Sequence, residues 1–198
     1  MDHLLQVLCL KGRATHEALG AAVEADTAAA VAGLEAAGLV ENTKLGYRVT
    51  ELGRRRVDEL YAREREQAGP VIEEVYESFV PINDEVKQIV TDWQMRPVGG
   101  ELTINDHSDR RHDERVIARL RHTDAKVSTA LAPLAIALTR FDAYPRRLRR
   151  ALTLVGDGDH SMLAAPLKDS YHTVWFELHE ELIILSGRSR ADAEAQNG

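Results

Sequence analysis

The residues best suited to bind a ligand lie close together near the C-terminal end of the chain. Residues 171–179 contain three aromatic side chains and two histidines. On a helix, His172, Trp175 and His179 share one face, because positions i, i+3 and i+7 nearly superpose. Imidazole rings beside an indole on an inward face could line a pocket for an organic molecule. The ligand-binding set that we predict is Trp93, His107, Tyr171, His172, Trp175 and His179.

Two other interpretations of this cluster remain open. The two histidines could supply half of a metal site. The residues of the preceding loop that could complete such a site are His107, His112 and Asp109. Alternatively, the aromatic rings belong to the core and each histidine hydrogen-bonds a nearby carboxylate. The acids Glu177, Glu180 and Glu181 are expected to form a solvated face. We predict neither a bound metal nor a cofactor.

Residues 105–113 form a strongly polar segment that ends in a His-Asp pair. Such a pair also occurs in helical metal phosphohydrolases, which need a further histidine well upstream. No histidine lies between His16 and His107, so that pattern is incomplete. We therefore predict a polar loop over residues 97–109 that leads into a helix. The loop follows Asp92 and Trp93 closely in sequence, which makes it the candidate rim of the pocket.

A cluster of five arginines lies between residues 140 and 150. These guanidinium groups could bind phosphates or an acidic effector. A solvated face paired with the carboxylates of the chain is the favoured alternative. The cluster consists of Arg140, Arg146, Arg147, Arg149 and Arg150. The sequence contains no glycine-rich phosphate loop, no Gly-x-Ser-x-Gly elbow and no His-Glu-x-x-His motif. We therefore predict that the protein is not an enzyme.

The first 67 residues predict a compact series of short elements. A short helix over residues 2–10 ends at Gly12, and Thr15 caps a second helix over residues 16–23. Asp26 or Thr27 is expected to cap a third helix that ends at Ala37. A hairpin over residues 39–49 follows, and Thr50 caps a helix from residue 51 to about 67. The predicted order is three helices, a two-stranded hairpin and a fourth helix.

Two stretches in this region resemble the pattern of MarR-like winged-helix regulators. They are Leu34-Glu35-Ala36-Ala37-Gly38-Leu39-Val40 and Val49-Thr50-Glu51-Leu52-Gly53-Arg54. The resemblance implies a winged helix-turn-helix over residues 1–68, with helix 27–37 in the major groove and the hairpin as the wing. Stretches farther along resemble an actinobacterial family of MarR-like or uncharacterised proteins, and this resemblance implies a shared architecture without supplying a ligand. Those stretches are VTDWQMRP, NDHSD, RFDAYPRRLRRAL and DSYHTVWFELHEELI.

The charge distribution limits how such a module could bind DNA. The net charge is −7, and helix 27–37 contains no lysine or arginine. Direct reading of bases commonly uses arginine, lysine, asparagine or glutamine. Contact with DNA would therefore depend on residues around the helix, mostly through phosphates. The DNA-binding set that we predict is Arg13, Thr27, Lys44, Arg48, Arg54, Arg55 and Arg56.

Beyond Gly69-Pro70, which we expect to end the fourth helix, the sequence is almost wholly helical. The predicted fold is mainly α: a winged helix-turn-helix over 1–68, an all-α effector-sensing and dimerisation domain over 71–190, and a frayed tail over 191–198. The single cysteine, Cys9, and the lack of a long apolar run fit a cytoplasmic protein. We expect a homodimeric, effector-responsive regulator that binds double-stranded DNA and no membrane. The alternative is a non-enzymatic module whose winged helix contacts protein.

Overall fold

The computed structural model describes residues 1–189 and shows a mainly helical protein with two small antiparallel hairpins. The predicted tail over 191–198 lies outside the described residues. The helices are α1 Asp2–Lys11, α2 His16–Val23, α3 Ala28–Ala36, α4 Glu51–Gln94, α5 Arg110–Ala137, α6 Ala143–Gly156, α7 Ser161–Ala164 and α8 Tyr171–Leu185. The strands are β1 Val40–Thr43, β2 Gly46–Val49, β3 Met95–Val98 and β4 Glu101–Ile104.

Side-chain hydrogen bonds cap the N-termini of α2, α3 and α4 at the positions that the sequence predicts. The Thr15 hydroxyl accepts from the Ala18 N–H at 3.2 Å, and the Thr50 hydroxyl accepts from the Gly53 N–H at 3.1 Å. At α3 the capping bond comes from Asp26, whose carboxylate accepts from the Ala28 N–H at 2.9 Å. Each cap satisfies one of the N–H groups that a helix leaves without a partner in its first turn.

The predicted hairpin is β1–β2, and it packs against the turn between α1 and α2. Val40 lies opposite Val49, and Thr43 lies opposite Gly46. Ala14 extends this pairing by exchanging two backbone hydrogen bonds with Tyr47, at 2.8 and 3.0 Å. A Cβ atom on Gly46 would lie 2.6 Å from the Ala14 carbonyl oxygen, so this close approach requires glycine.

Helix α4 does not end at Gly69-Pro70 but bends there and continues to Gln94. Its only non-helical backbone is at Ala68, with φ −131° and ψ 15°. Proline has no N–H to donate to the preceding turn, which accounts for the bend. The helix continues because side chains on both sides of the bend, such as Tyr61 and Ile72, are buried in the same core. The predicted domain boundary therefore falls inside a helix.

In the C-terminal half α5 and α8 pack against α4, and α6 packs against α5 and α8. Residues 97–109, predicted as a loop, instead contain most of the β3–β4 hairpin, which turns at Gly99 and Gly100 with positive φ at both. Paired glycines suit such a two-residue turn. A 3₁₀ turn over Thr139–Asp142 separates α5 from α6. The short helix α7 was not predicted. Within residues 1–189, no helix is long and apolar enough to cross a membrane.

Candidate functional site

The outward face of α3 is small, apolar and without positive charge. Val31 and Leu34 are buried beneath the helix. Its exposed residues are Ala28, Ala29, Ala32, Glu35 and Ala36. Thr27, predicted to contact DNA, is only 4% exposed, and its hydroxyl donates to the His16 carbonyl at 3.5 Å. This side chain joins α3 to α2 and does not reach the surface.

The predicted basic residues fall into two groups, those that form ion pairs and those that do not. Arg48 is paired with Glu41, Arg55 lies 3.8 Å from Glu51, and Arg56 lies 3.0 Å from Asp2. The other three predicted cations are exposed and have no carboxylate within 4.0 Å among residues 1–189. These are Arg13, Lys44 and Arg54. They are the residues of the set best placed to exchange solvent for a phosphate oxygen.

Two acids that would repel a phosphate near α3 already have partners. The Asp26 carboxylate caps the helix. The Glu24 carboxylate accepts from Arg146 of α6 at 2.7 Å, and Arg146 also binds Asp142. The helix pair α2–α3 is thus connected to the C-terminal half through one exposed ion pair. The Arg146 charge therefore reduces the negative potential beside α3.

The predicted ligand residues on α8 belong to a closed aromatic stack. The Trp175 ring stacks on Phe79 of α4 at 4.8 Å and on Tyr171 at 6.3 Å between centroids. The Trp175 indole N–H donates to Asn83 at 3.0 Å, and the Tyr171 hydroxyl donates to Asp124 at 3.4 Å. His179 lies against Phe79 at 5.6 Å. These contacts join α8 to α4 and α5 in the core.

His172, on the same helix, is half-buried. Burial lowers its pKa, because the charged imidazolium loses solvation.

Trp93 and His107 lie in a second cluster, at the junction of α4, the β3–β4 hairpin and α5. Their rings are 4.4 Å apart. The His107 Nδ1 atom lies 3.0 Å from the buried Asp113 carboxylate, which also accepts from Asn105 at 2.9 Å. Asn105 donates in addition to the Trp93 carbonyl at 3.0 Å. These polar groups satisfy one another and hold the hairpin to the helices.

A groove of about 600 Å³ lies between the middle parts of α4 and α5. Its apolar lining includes Val75, Ile82 and Pro133, and its polar lining includes His122 and Lys126. The volume lies within the range of small-molecule sites. None of the predicted ligand residues lines this groove. Sequence periodicity could not indicate it, because its lining comes from two helices that are far apart in the sequence.

A buried network of charges joins α1, α4, α6 and α8. Arg140 donates to Glu64 at 2.7 Å and lies 3.1 Å from Glu181. The Glu181 carboxylate also accepts from the Tyr61 hydroxyl at 3.2 Å and the Tyr144 hydroxyl at 2.5 Å. Burial, together with the nearby Glu181 charge, raises the pKa of both tyrosines well above the ordinary value. Burial also raises the pKa of Glu64, against the opposing effect of Arg140.

A second buried ion group lies one helical turn away on α8. Arg147 makes two hydrogen bonds to Asp169, one of them at 3.1 Å, and donates to Glu177 at 2.7 Å. Lys11 of α1 also donates to Glu177, at 2.5 Å. Burial acts to lower the pKa of Arg147, but hydrogen bonds to Asp169 and the carboxylate of Glu177 outweigh it and raise that pKa.

The prediction of a solvated acidic face on α8 is wrong for Glu177 and Glu181, which are 6% and 3% exposed. Both acids share the inward helical face with Val174 and Leu178, and that spacing was a usable signal. The arginine cluster also divides. Arg140 and Arg147, seven residues apart, point inward, whereas the other members are exposed. Its buried members join the N-terminal helices to the C-terminal half.

The structure therefore offers an exposed face of α3, three unpaired cations in the N-terminal region and a groove between α4 and α5. Buried ion groups join α1 and α4 to α8 elsewhere in the molecule. Among residues 1–189, no group of three or more His, Cys, Asp or Glu side chains could hold a metal ion. Comparison of the chain with protein-family profiles, curated proteins and solved structures found no match in any of the three.

Proposed function

We propose that this protein is a DNA-binding transcriptional regulator that responds to a small molecule bound in its C-terminal half. Residues 1–68 would act as a winged helix-turn-helix, with α3 in the major groove and β1–β2 as the wing. The observation that carries the proposal is the placement of α3. One face of this helix is exposed, and the β1–β2 hairpin follows it directly in the chain. In the same region Arg13, Lys44 and Arg54 are exposed and make no ion pair with residues 1–189.

The mode of binding follows from the residues that the surface offers. Arg13, Lys44 and Arg54 would contact phosphates, which position a protein without specifying sequence. The alanine methyl groups of α3 could contact thymine methyl groups but make no hydrogen bonds to bases. We therefore expect modest sequence discrimination and an affinity dominated by counterion release. Two copies related by a two-fold axis would place two α3 helices on half-sites about one helical turn apart.

The effector would bind in the groove between α4 and α5. A molecule between these helices would displace α4, which extends from the groove to the hairpin across the bend at Ala68. Thr50 at the start of α4 donates to the Gly38 carbonyl at 2.7 Å, and Arg54 lies in the next turn. Movement of α4 would therefore change the position of the wing and of one phosphate contact. This is a shift between two arrangements that ligand and DNA would each favour differently.

The test is a mobility-shift titration of the full chain against the DNA that flanks its own gene. Three phosphate contacts in each of two copies predict a slope of log affinity against log salt of about −5. Affinity should then fall about 10³-fold between about 50 and 200 mM salt. Lys44→Ala should weaken binding and make the slope shallower by about 2, one phosphate for each copy.

The matched control is Lys87→Ala, which removes an exposed lysine of α4 in the C-terminal half. This variant should bind DNA as the unmodified chain does. Absence of a shift at low salt, or equal losses in the two lysine variants, would contradict the regulator proposal.

A second candidate function is a protein-interaction module that uses the same elements. The alanine surface of α3 favours it, because a flat apolar helix face without cations suits contact with another protein more than contact with phosphates. This candidate predicts no salt-dependent DNA binding. The mobility-shift titration of the two lysine variants therefore separates the two functions.

A further inference from the structure

The β3–β4 hairpin has one apolar face that is open to solvent. Met95 lies opposite Ile104 and Pro97 lies opposite Leu102, so these four side chains project from the same face. Leu102 is 62% exposed and Ile104 is 80% exposed. The charged side chains of the hairpin, Arg96 and Glu101, occupy the other face. An isolated two-stranded hairpin is only marginally stable in water, so an uncovered apolar face points to a partner.

The two outer edges of this hairpin differ in their capacity to accept another strand. The two-residue turn at Gly99-Gly100 makes Val98 and Glu101 a hydrogen-bonded pair. Hydrogen-bonded and non-hydrogen-bonded pairs then alternate, and Gln94 and Asn105 form a hydrogen-bonded pair again, with the Asn105 N–H donating to the Gln94 carbonyl at 2.8 Å. Met95 and Pro97 on β3, and Leu102 and Ile104 on β4, therefore direct their backbone groups outward.

The β3 edge is blocked, and the β4 edge is not. Pro97 has no N–H, and the Met95 N–H donates to the Thr91 carbonyl at the end of α4. On β4, Leu102 and Ile104 keep both outward N–H groups, and neither position carries a proline or a charge that would oppose pairing. A further strand can thus join this hairpin on the β4 side.

We propose that the strand that joins is β4 of a second copy of this chain, antiparallel and related by a two-fold axis at Thr103. In this register Leu102 forms a hydrogen-bonded pair with Ile104 of the second copy, and Ile104 forms one with Leu102 of the second copy. All outward-facing N–H and carbonyl groups of both residues then have partners. Shifting the register to place Leu102 opposite itself would pair Ile104 with Gly100 and lose the apolar contact.

Charge and symmetry favour a second copy over an unrelated protein. Glu101 would lie opposite Asn105, and the two Glu101 residues would be about 14 Å apart along the strands, so no like charges meet. The blocked β3 edge stops the sheet at four strands, which gives a closed dimer and no fibre. The inference rests on the proposed function in one respect only, which is that a regulator on two DNA half-sites requires two copies of the chain. The strand geometry stands independently of DNA binding.

The expected association is weak. Four residues in each copy bury much less than the roughly 800 Å² per partner of a stable interface. We therefore expect a monomer–dimer equilibrium that depends on protein concentration, strengthened when DNA holds two copies together.

Disulfide trapping of the full chain tests the register. In a Cys9→Ser background, Thr103→Cys places two thiols across the two-fold axis at a non-hydrogen-bonded pair, where Cα atoms are about 4.5 Å apart and a disulfide fits. The matched control is Glu101→Cys, on the same strand and also exposed. Under mild oxidation, Thr103→Cys should form covalent dimer at least about tenfold faster than Glu101→Cys, because only its thiols come within disulfide range.

Equal trapping of the two variants, or no covalent dimer with Thr103→Cys, would overturn the inference. Sedimentation of the chain without cysteine substitutions gives an independent measurement. Weak dimerisation should be visible in the unmodified chain and lost in the variant Leu102→Lys with Ile104→Lys, whose far-ultraviolet spectrum should remain helical. A chain that is trapped through Thr103→Cys but does not shift DNA would contradict the proposed function alone. DNA binding by a chain that is not trapped through Thr103→Cys would contradict only the proposed pairing of β4 with β4 of a second copy.

Discussion

Replacing Arg140 by methionine should show how much the buried charge network contributes to stability. The Arg140 side chain is 8% exposed and serves both Glu64 and Glu181. Methionine replaces the aliphatic part of the arginine side chain and lacks the guanidinium group, so the principal effect is the loss of the cation. Glu181 would then be a buried carboxylate without a positive partner. Only the hydroxyls of Tyr61 and Tyr144 would continue to donate to it.

The magnitude follows from this change in the surroundings of Glu181. Removing one partner of a buried ion pair costs about 3–5 kcal/mol, because the remaining charge is left in a medium that solvates it poorly. The two tyrosine hydroxyls place this site at the lower end, about 3 kcal/mol. With a urea m-value near 2 kcal/mol per molar, the midpoint of unfolding should fall by about 1.5 M.

The assay is urea unfolding followed by circular dichroism, with Arg146→Met as the matched control. Arg146 is 52% exposed and pairs with Glu24 and Asp142. Because an exposed ion pair contributes little, this variant should lose less than about 1 kcal/mol. Adding Glu181→Gln to Arg140→Met should recover part of the loss, since the buried charge is then absent. An effect of Arg140→Met no larger than that of Arg146→Met would refute the reasoning.

Two further substitutions and one pH series give additional tests. Gly53→Ala should destabilise the protein by about 2 kcal/mol or more, because its Cβ would lie 2.1 Å from the Leu39 carbonyl oxygen. Gly69→Ala, where no atom lies within 4 Å of the added Cβ, should instead be neutral or stabilising by up to about 1 kcal/mol. Urea unfolding of both variants measures the two changes. The lowered pKa of His172 means that the unfolded chain binds this proton first, so stability should decrease as pH falls below about 6.5. His172→Gln should make the melting temperature less dependent on pH between about 7 and 5. An unchanged pH dependence of the melting temperature in this variant would contradict the assignment.

The sequence by itself determined the local elements of the N-terminal region. Thr15, Asp26 and Thr50 cap helices through bonds to residues two or three positions away, so their effect depends on little outside their own turn. Gly46 marks the hairpin turn locally through its positive φ, which favours glycine. The Gly99-Gly100 turn was equally local, and its hairpin could have been predicted from the same kind of signal.

Only the tertiary structure decided the course of α4 and the composition of the candidate site. Pro70 bends α4 without ending it, because burial on both sides of the bend outweighs one lost hydrogen bond. Glu177 is buried because Lys11, 166 positions away, and Arg147 neutralise it. No local pattern reveals which cation a distant helix will bring to a carboxylate. The aromatic residues of α8 are likewise part of the core, and the groove lies elsewhere, because its lining depends on how two helices distant in sequence pack together.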